Sequence, residues 1–236
     1  MDTLTHFTLG AAVGELVLGK KVGNKALLWG AVGGVIPDLD YLVYPFLDTV
    51  SRLTVHRSFS HSITFLVLVA PLLGFLINKI YKGQFASWWD WTKLSFWSIF
   101  THSLLDNFTS YGTQLFWPFS KYRIAWNSIF VIDPLYTVPF ALCVLAVFFL
   151  RRGSKARRII NWTGIILSTS YLLFTLVNKQ LVSSVFEKQL KKQNISYSRI
   201  FTMPTPFNNI LWRGVAESQE GFWEGYYSWF DNNKNI

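Results

Sequence analysis

Charge is scarce in this chain. Asp, Glu, Lys and Arg make up 15% of its 236 residues, where an ordinary soluble domain carries about 25%, so too few ionic side chains exist to clothe a water-facing surface. Cysteine is scarcer still: Cys143, alone in an apolar run, excludes an intrachain disulfide and any thiolate metal cluster. The N-terminus, with an acid at Asp2 and a histidine at His6, lacks the basic start and small-residue cleavage pattern of a signal peptide. What the chain has instead is apolar and aromatic bulk, 51% and 18% of residues, including 11 Trp and 21 Phe. That composition predicts a mainly α protein, a polytopic helical membrane bundle.

Six apolar segments are candidate membrane helices: His6 to Leu18, Ala26 to Ile36, His61 to Tyr81, Trp91 to Leu105, Phe130 to Leu150 and Ile159 to Val177. The first, second and fourth are the shortest or most polar. Glycines in the first two predict a close helical hairpin, because a missing Cβ lets backbones approach. Half of the 22 cations fall in alternate loops, at Lys20, Lys21, Lys25, Lys79, Lys82, Lys93, Arg151, Arg152, Lys155, Arg157 and Arg158. The opposite loops hold only Arg52, Arg57, Lys121 and Arg123. Cytoplasmic loops attract Lys and Arg, which places the first set inside and both termini outside. A formal charge of +9 then has its explanation in topology, which disfavours nucleic acid as a partner.

With that sidedness the chemistry-bearing residues share one face. His6 begins the first helix, Asp38 and Asp40 follow the second, His56 and His61 precede the third, His102 and Asp106 end the fourth, and Asp133 opens the fifth. Imidazoles and carboxylates beside hydrocarbon are costly unless they bind something, so the constellation reads as a metal site at the non-cytoplasmic mouth of the bundle. His102-Ser-Leu-Leu-Asp106 puts two ligand types one helical turn apart. Pro37-Asp38-Leu39-Asp40 offers two carboxylates at a helix end, and His56-Arg57-Ser58-Phe59-Ser60-His61-Ser62 offers two imidazoles at a helix entrance, with Ser60 as N-cap. Arg57 suits a phosphate or carboxylate, since guanidinium binds planar oxyanions in a fork.

Together with Thr5-His6, Tyr111-Gly112-Thr113 and Asp133-Pro134, these motifs resemble the bacterial membrane-bound, metal-dependent hydrolases of the YdjM type, over about residues 3 to 140. Pro204-Thr205-Pro206-Phe207-Asn208 with Leu211-Trp212-Arg213 is similar to the C-terminal signature of the longer members. That family is distantly similar to zinc-dependent phospholipase C and the single-strand-specific zinc nucleases. The resemblance implies metal ligands at His6, Asp38 or Asp40, His56 or His61, His102 and Asp106, and phosphoester hydrolysis. Those soluble enzymes use further histidines for three zincs, whereas this chain has none after His102, so one or two divalent ions, zinc foremost, are expected.

In such a site the carboxylate of Asp38 or Asp40 that is not a ligand serves as general base, and Arg57 holds the substrate anion. A mouth at the lipid–water interface favours a phospholipid or lipid-linked phosphate, in a bacterial cell membrane. Residues 1–178 form the helical membrane domain on this reading, and 179–236 an extracytoplasmic appendage. There Ile195 to Met203 and Gly221 to Phe230 read as strands, covering the bundle mouth. Asn208, Trp212 and Arg213, on a loop, and Asp133 are candidate substrate contacts. Two rivals are a non-enzymatic membrane regulator or scaffold with a structural metal site, and a divalent-metal transporter, which would place ligands near the bilayer middle and on both faces.

Overall fold

The computed structural model describes residues 1–49, 56–219 and 221–231; Arg52, counted above among the outside cations, lies outside the described residues. Helix α1 spans Thr3–Gly14 and is capped by Asp2, whose side chain accepts from the Thr5 amide. It continues through a π-helical stretch, Glu15–Gly19, and a last turn, Lys20–Val22. Gly23, at φ +62°, reverses the chain into α2, Asn24–Val35. The two helices touch backbone to backbone: a Cβ on Gly10 would lie 2.3 Å from the Gly30 carbonyl oxygen, and one on Gly34 2.5 Å from that of His6. The expected glycine hairpin is present.

A 3-10 stretch, Ile36–Phe46, opens with Pro37 and carries Asp38 and Asp40. A 3-10 turn, Phe59–His61, leads into α3, Ile63–Ile80. Its N-cap is Ser62, which accepts from the Phe65 amide at 3.1 Å, not Ser60 as the sequence suggests. Helix α4, Trp88–Asp106, starts with a reciprocal capping box between Ser87 and Asp90. Leu66 and Ala70 of α3 pack on Ile99 of α4. Residues 107–133 are largely irregular, with one bridge between Thr113 and Ile124. Helix α5, Pro134–Phe149, and α6, Lys155–Lys192, follow. At 38 residues α6 is about 57 Å long, nearly twice the thickness of a bilayer's hydrocarbon.

Six helices are therefore present among the described residues, but only three stretches are long and apolar enough to cross a membrane: Asn24–Phe46, Ile63–Ile80 and Lys155–Lys192. Helix α5 is apolar but shorter, so by length and composition three of the six expected spans are found among the described residues. The physical reason lies in α1 and α4, which face inward. The buried side of α1 is small and polar, with Thr5, His6, Thr8, Gly10, Ala11, Ala12 and Gly14, and that of α4 carries Ser95, Ser98, His102, Ser103 and Asp106.

Beyond α6 a three-stranded antiparallel sheet, β1 Arg199–Pro204, β2 Leu211–Ser218 and β3 Gly221–Ser228, runs in chain order. Fully buried Trp212 packs on Val182 and Phe186 of α6. Two expected strands are thus found, and a third, β2, replaces the loop expected around Trp212 and Arg213.

Candidate metal centre

The two ends of the helical part differ in chemistry. One carries ionic ties: Lys21 with Asp90, and a buried fork in which Arg157 Nε and Nη2 each donate to a carboxylate oxygen of Glu15 at 2.7 Å. The other gathers the histidines. His6 comes from the start of α1, Asp38 from the turn after α2, His61 from the turn before α3, and His102 and Asp106 from the last turns of α4.

Asp38, His61, His102 and Asp106 each present one ligand atom within 4.8 Å of the others, and all four are buried. His61 Nε2 stands 2.9 Å from His102 Nε2. Each of these nitrogens is 3.6 Å from Asp38 Oδ1, and they are 3.4 and 3.9 Å from Asp106 Oδ2. Ligands about 2.0–2.1 Å from a tetrahedral zinc stand about 3.3 Å from one another, and the pairs that involve His61 or His102 lie close to that spacing.

Hydrogen bonding fixes which ring nitrogens face inward. His102 Nδ1 donates to the Gly34 carbonyl at 2.7 Å, the carbonyl that the glycine hairpin brings to the site. His61 Nδ1 donates to Ser60 Oγ at 2.9 Å, and Ser60 in turn donates to Asp40 Oδ2 at 2.9 Å. Both neutral rings therefore point an Nε2 lone pair at the other. Two lone pairs 2.9 Å apart repel unless a cation or a proton lies between them. Asp106 Oδ2 adds to the demand, since it is buried with no hydrogen-bond donor. Arg57 Nε approaches it at 3.1 Å, near enough for ion pairing but off the line a hydrogen bond needs. An N2O2 donor set with fixed tautomers fits a divalent ion such as zinc.

The remaining sequence candidates sit around this group. His6 Nε2 lies 3.1 Å from Asp106 Oδ1, its ring stacked on that of His102 at 3.6 Å. The Met1 amino group also contacts Asp106. His56 and Asp40 form a separate pair, with His56 Nδ1 3.2 Å from the Asp40 carboxylate and His56 Nε2 3.0 Å from the Tyr41 hydroxyl. Arg57, at φ +59°, is buried; its Nη1 donates to Thr109 at 2.9 Å and its guanidinium lies over the Tyr111 ring.

Asp133, Asn208, Trp212 and Arg213 are spent on packing. Asp133 caps α5 and accepts from the Tyr171 hydroxyl. Asn208 Oδ1 accepts from the Ile210 and Leu211 amides, closing the turn before β2. Trp212 is core, and Arg213 pairs with Glu224 on β3, which holds that carboxyl below its usual range. The sequence did not single out Gly34, Thr109 or Tyr41 as partners of the site. Only the glycine pairing of the hairpin hinted that the Gly34 carbonyl would be near it.

Comparison with known proteins agrees with this placement. The profile of the YdjM inner membrane protein family matches residues 1–182, which contain every residue of the cluster. The chain belongs to the YdjM inner membrane protein family. Among curated relatives it is similar to "Uncharacterized protein YfhP" of Bacillus subtilis (strain 168), 28% identical over 201 residues, covering 82% of this chain and 57% of that one. It also resembles "Inner membrane protein YbcI" of Escherichia coli (strain K12), 31% identical over 144 residues, 59% of this chain and 78% of the relative. The chain thus spans little more than half the length of the first of these. No solved structure matches. Like the family, the protein is an inner membrane protein, and its apolar helices fit that setting.

Proposed function

We propose that this YdjM-family protein is a multi-pass, metal-dependent hydrolase that cleaves a phosphoester in a lipid or lipid-linked substrate at the non-cytoplasmic membrane face, where its C-terminal sheet also lies. The observation that carries the reading is the opposed pair of Nε2 lone pairs on His61 and His102, flanked by the Asp38 and Asp106 carboxylates. When bound, a divalent ion supplies Lewis acidity toward a phosphoryl oxygen and a nucleophile at neutral pH.

The protein's own groups do the rest. Asp38 and Asp106 balance the dication, and the Arg57 guanidinium and Met1 amino group beside Asp106 favour an anionic substrate. Asp40 is not in the cluster, and it is the carboxylate suited to accept a proton, with His56 beside it to take up charge. Ser60 and Gly34 hold the two imidazoles in the ligand tautomer.

A non-catalytic metal staple is the second reading, favoured by the burial of all four donors, since structural metal sites are closed and catalytic ones keep an open position. Detergent-purified protein analysed for bound metal and assayed on a panel of lipid phosphoesters separates the two. Under the hydrolase reading Asp40→Asn keeps its metal and loses turnover by about 10²–10⁴-fold. Bound metal without turnover on any panel member supports the staple, and a metal-free wild type refutes both.

A further inference from the structure

At the end of the helices opposite the histidine cluster, a cavity of about 400 Å³ opens between the π-helical stretch after α1 and the start of α6. Its rim is basic. Lys20, Lys155 and Arg158 line it, and among the described residues none of their side chains has an ion-pair partner. The fourth cation on its wall, Arg157, is already matched by Glu15, so the rim carries an uncompensated positive charge. The first turn of α6 adds its amide ends to the same wall. At the floor Asn161, 3% exposed, donates Nδ2 to the Ala12 carbonyl while its Oδ1 has no partner. The amide cannot be turned round, because Oδ1 would then face another carbonyl oxygen.

This polar cavity adjoins an apolar one. Leu16 lines it and also lines a second, apolar cavity of about 460 Å³ between α1, α4 and α6. The lining residues of the two cavities follow one another along the helices: Lys20, Leu16, Val13 and Leu9 at helical spacing on one side, and Arg158, Asn161, Ile165, Ser168 and Leu172 on the other. From Arg158 to Leu172 the groove is about 21 Å long at 1.5 Å per residue, the reach of a long acyl chain. A basic head with a buried acceptor, continued by an apolar trough of chain length, has the dimensions and chemistry of one phospholipid molecule.

We propose that this groove binds an anionic glycerophospholipid with a hydroxyl-bearing headgroup, of the phosphatidylglycerol kind. The phosphate sits among Lys20, Lys155 and Arg158, a headgroup hydroxyl donates to Asn161 Oδ1, and one acyl chain lies along α1 and α6. The site is independent of the hydrolase reading, since it shares no residue with the histidine cluster.

Native mass spectrometry of the delipidated full chain in detergent, titrated with phosphatidylglycerol, phosphatidylcholine or inorganic phosphate, tests the proposal. One phosphatidylglycerol should bind in preference to phosphatidylcholine, and excess inorganic phosphate should not displace it. In the double variant Lys155→Ala, Arg158→Ala the affinity should drop about thirtyfold, roughly fivefold for each surface cation lost. Leu16→Trp, which fills the junction of the two cavities, should also weaken phosphatidylglycerol. If the double variant loses helicity, Arg158→Gln alone repeats the measurement with an expected loss of about fivefold. Equal binding of the two lipids, wild-type affinity in a folded cation variant, or full displacement by inorganic phosphate would overturn the lipid site, the last by showing a simple anion site.

Discussion

His102 shows how much the candidate metal site depends on atoms outside the donor set. Its Nε2 is available only because Nδ1 is held by the Gly34 carbonyl, and His61 depends in the same way on Ser60, which Asp40 holds in turn. Deleting a ligand and deleting a support should therefore differ in degree. His102→Ala and Asp106→Ala should each remove bound metal from the purified protein, and full metal content in the double variant would sink the metal reading. Ser60→Ala should keep the fold but weaken metal binding by about 10–100-fold, the usual effect of losing an outer partner, read by competition with a chelator. The clustered residues were conspicuous in the sequence, as His and Asp at helix ends beside hydrocarbon. Choosing between Asp38 and Asp40, or between His56 and His61, was not possible there. The 3-10 stretch Ile36–Phe46 sends Asp38 and Asp40 to different partners, and the 3-10 turn Phe59–His61 carries His61 into the cluster while His56 pairs with Asp40.

At the scale of elements, the hairpin of α1 and α2 sets the distance between His6 and the Gly34 carbonyl. A Cβ on Gly30 would lie 2.2 Å from the Gly10 carbonyl oxygen, so Gly30→Ala must part the helices. Overpacking of this kind costs about 1–3 kcal/mol, and here it should lower the thermal midpoint and the metal affinity together. A fall in stability with metal affinity intact would show that the hairpin does not position the site. The start of α4 offers a pH test. The Lys21 ammonium and the Ser87 cap hold Asp90 down to about 2, below its ordinary value. A carboxyl depressed on folding stabilises above its unfolded pKa of about 3.9 and loses that contribution as pH falls toward 2. The stability advantage of wild type over Asp90→Asn should therefore be constant near neutrality and shrink between pH 4 and pH 2, measured by thermal unfolding in detergent. Helix existence was legible from apolar runs, and the observed helices lie within a few residues of the expected ones, except that α6 runs on past Val177 to Lys192. Helix role was not. α4 looked like a weak span because its inward face is built of Ser, Thr and His rather than because it is marginal. Strand β2 was missed because Gly214 interrupts its alternation, a glycine whose absent Cβ makes room for the Phe186 ring.

For the whole molecule, sidedness follows from the chemistry of the two helix ends. The loop cations at Lys20, Lys21, Arg151, Arg152 and Arg157 meet at one end: Lys21 pairs with Asp90, Arg152 donates to the Lys20 carbonyl, and Arg157 bridges Glu15, Asn24 and the Leu150 carbonyl. The histidine cluster lies at the opposite ends of the same helices. The sheet belongs with the cluster's end, since Asn209 donates to the Ser128 carbonyl and Lys179 to the Trp126 carbonyl in the segment that follows Asp106. Basic loops stay in the cytoplasm, so the cluster and the sheet should face the other way. A reporter active only outside the cytoplasm should light up when fused after Ile236, and a cytoplasm-only reporter should be active when inserted in the loop at Gly153. The reverse pattern would move the cluster to the cytoplasmic face and with it the expected substrate, while a mixed pattern would break the rigid link between sheet and helices drawn by Asn209 and Lys179.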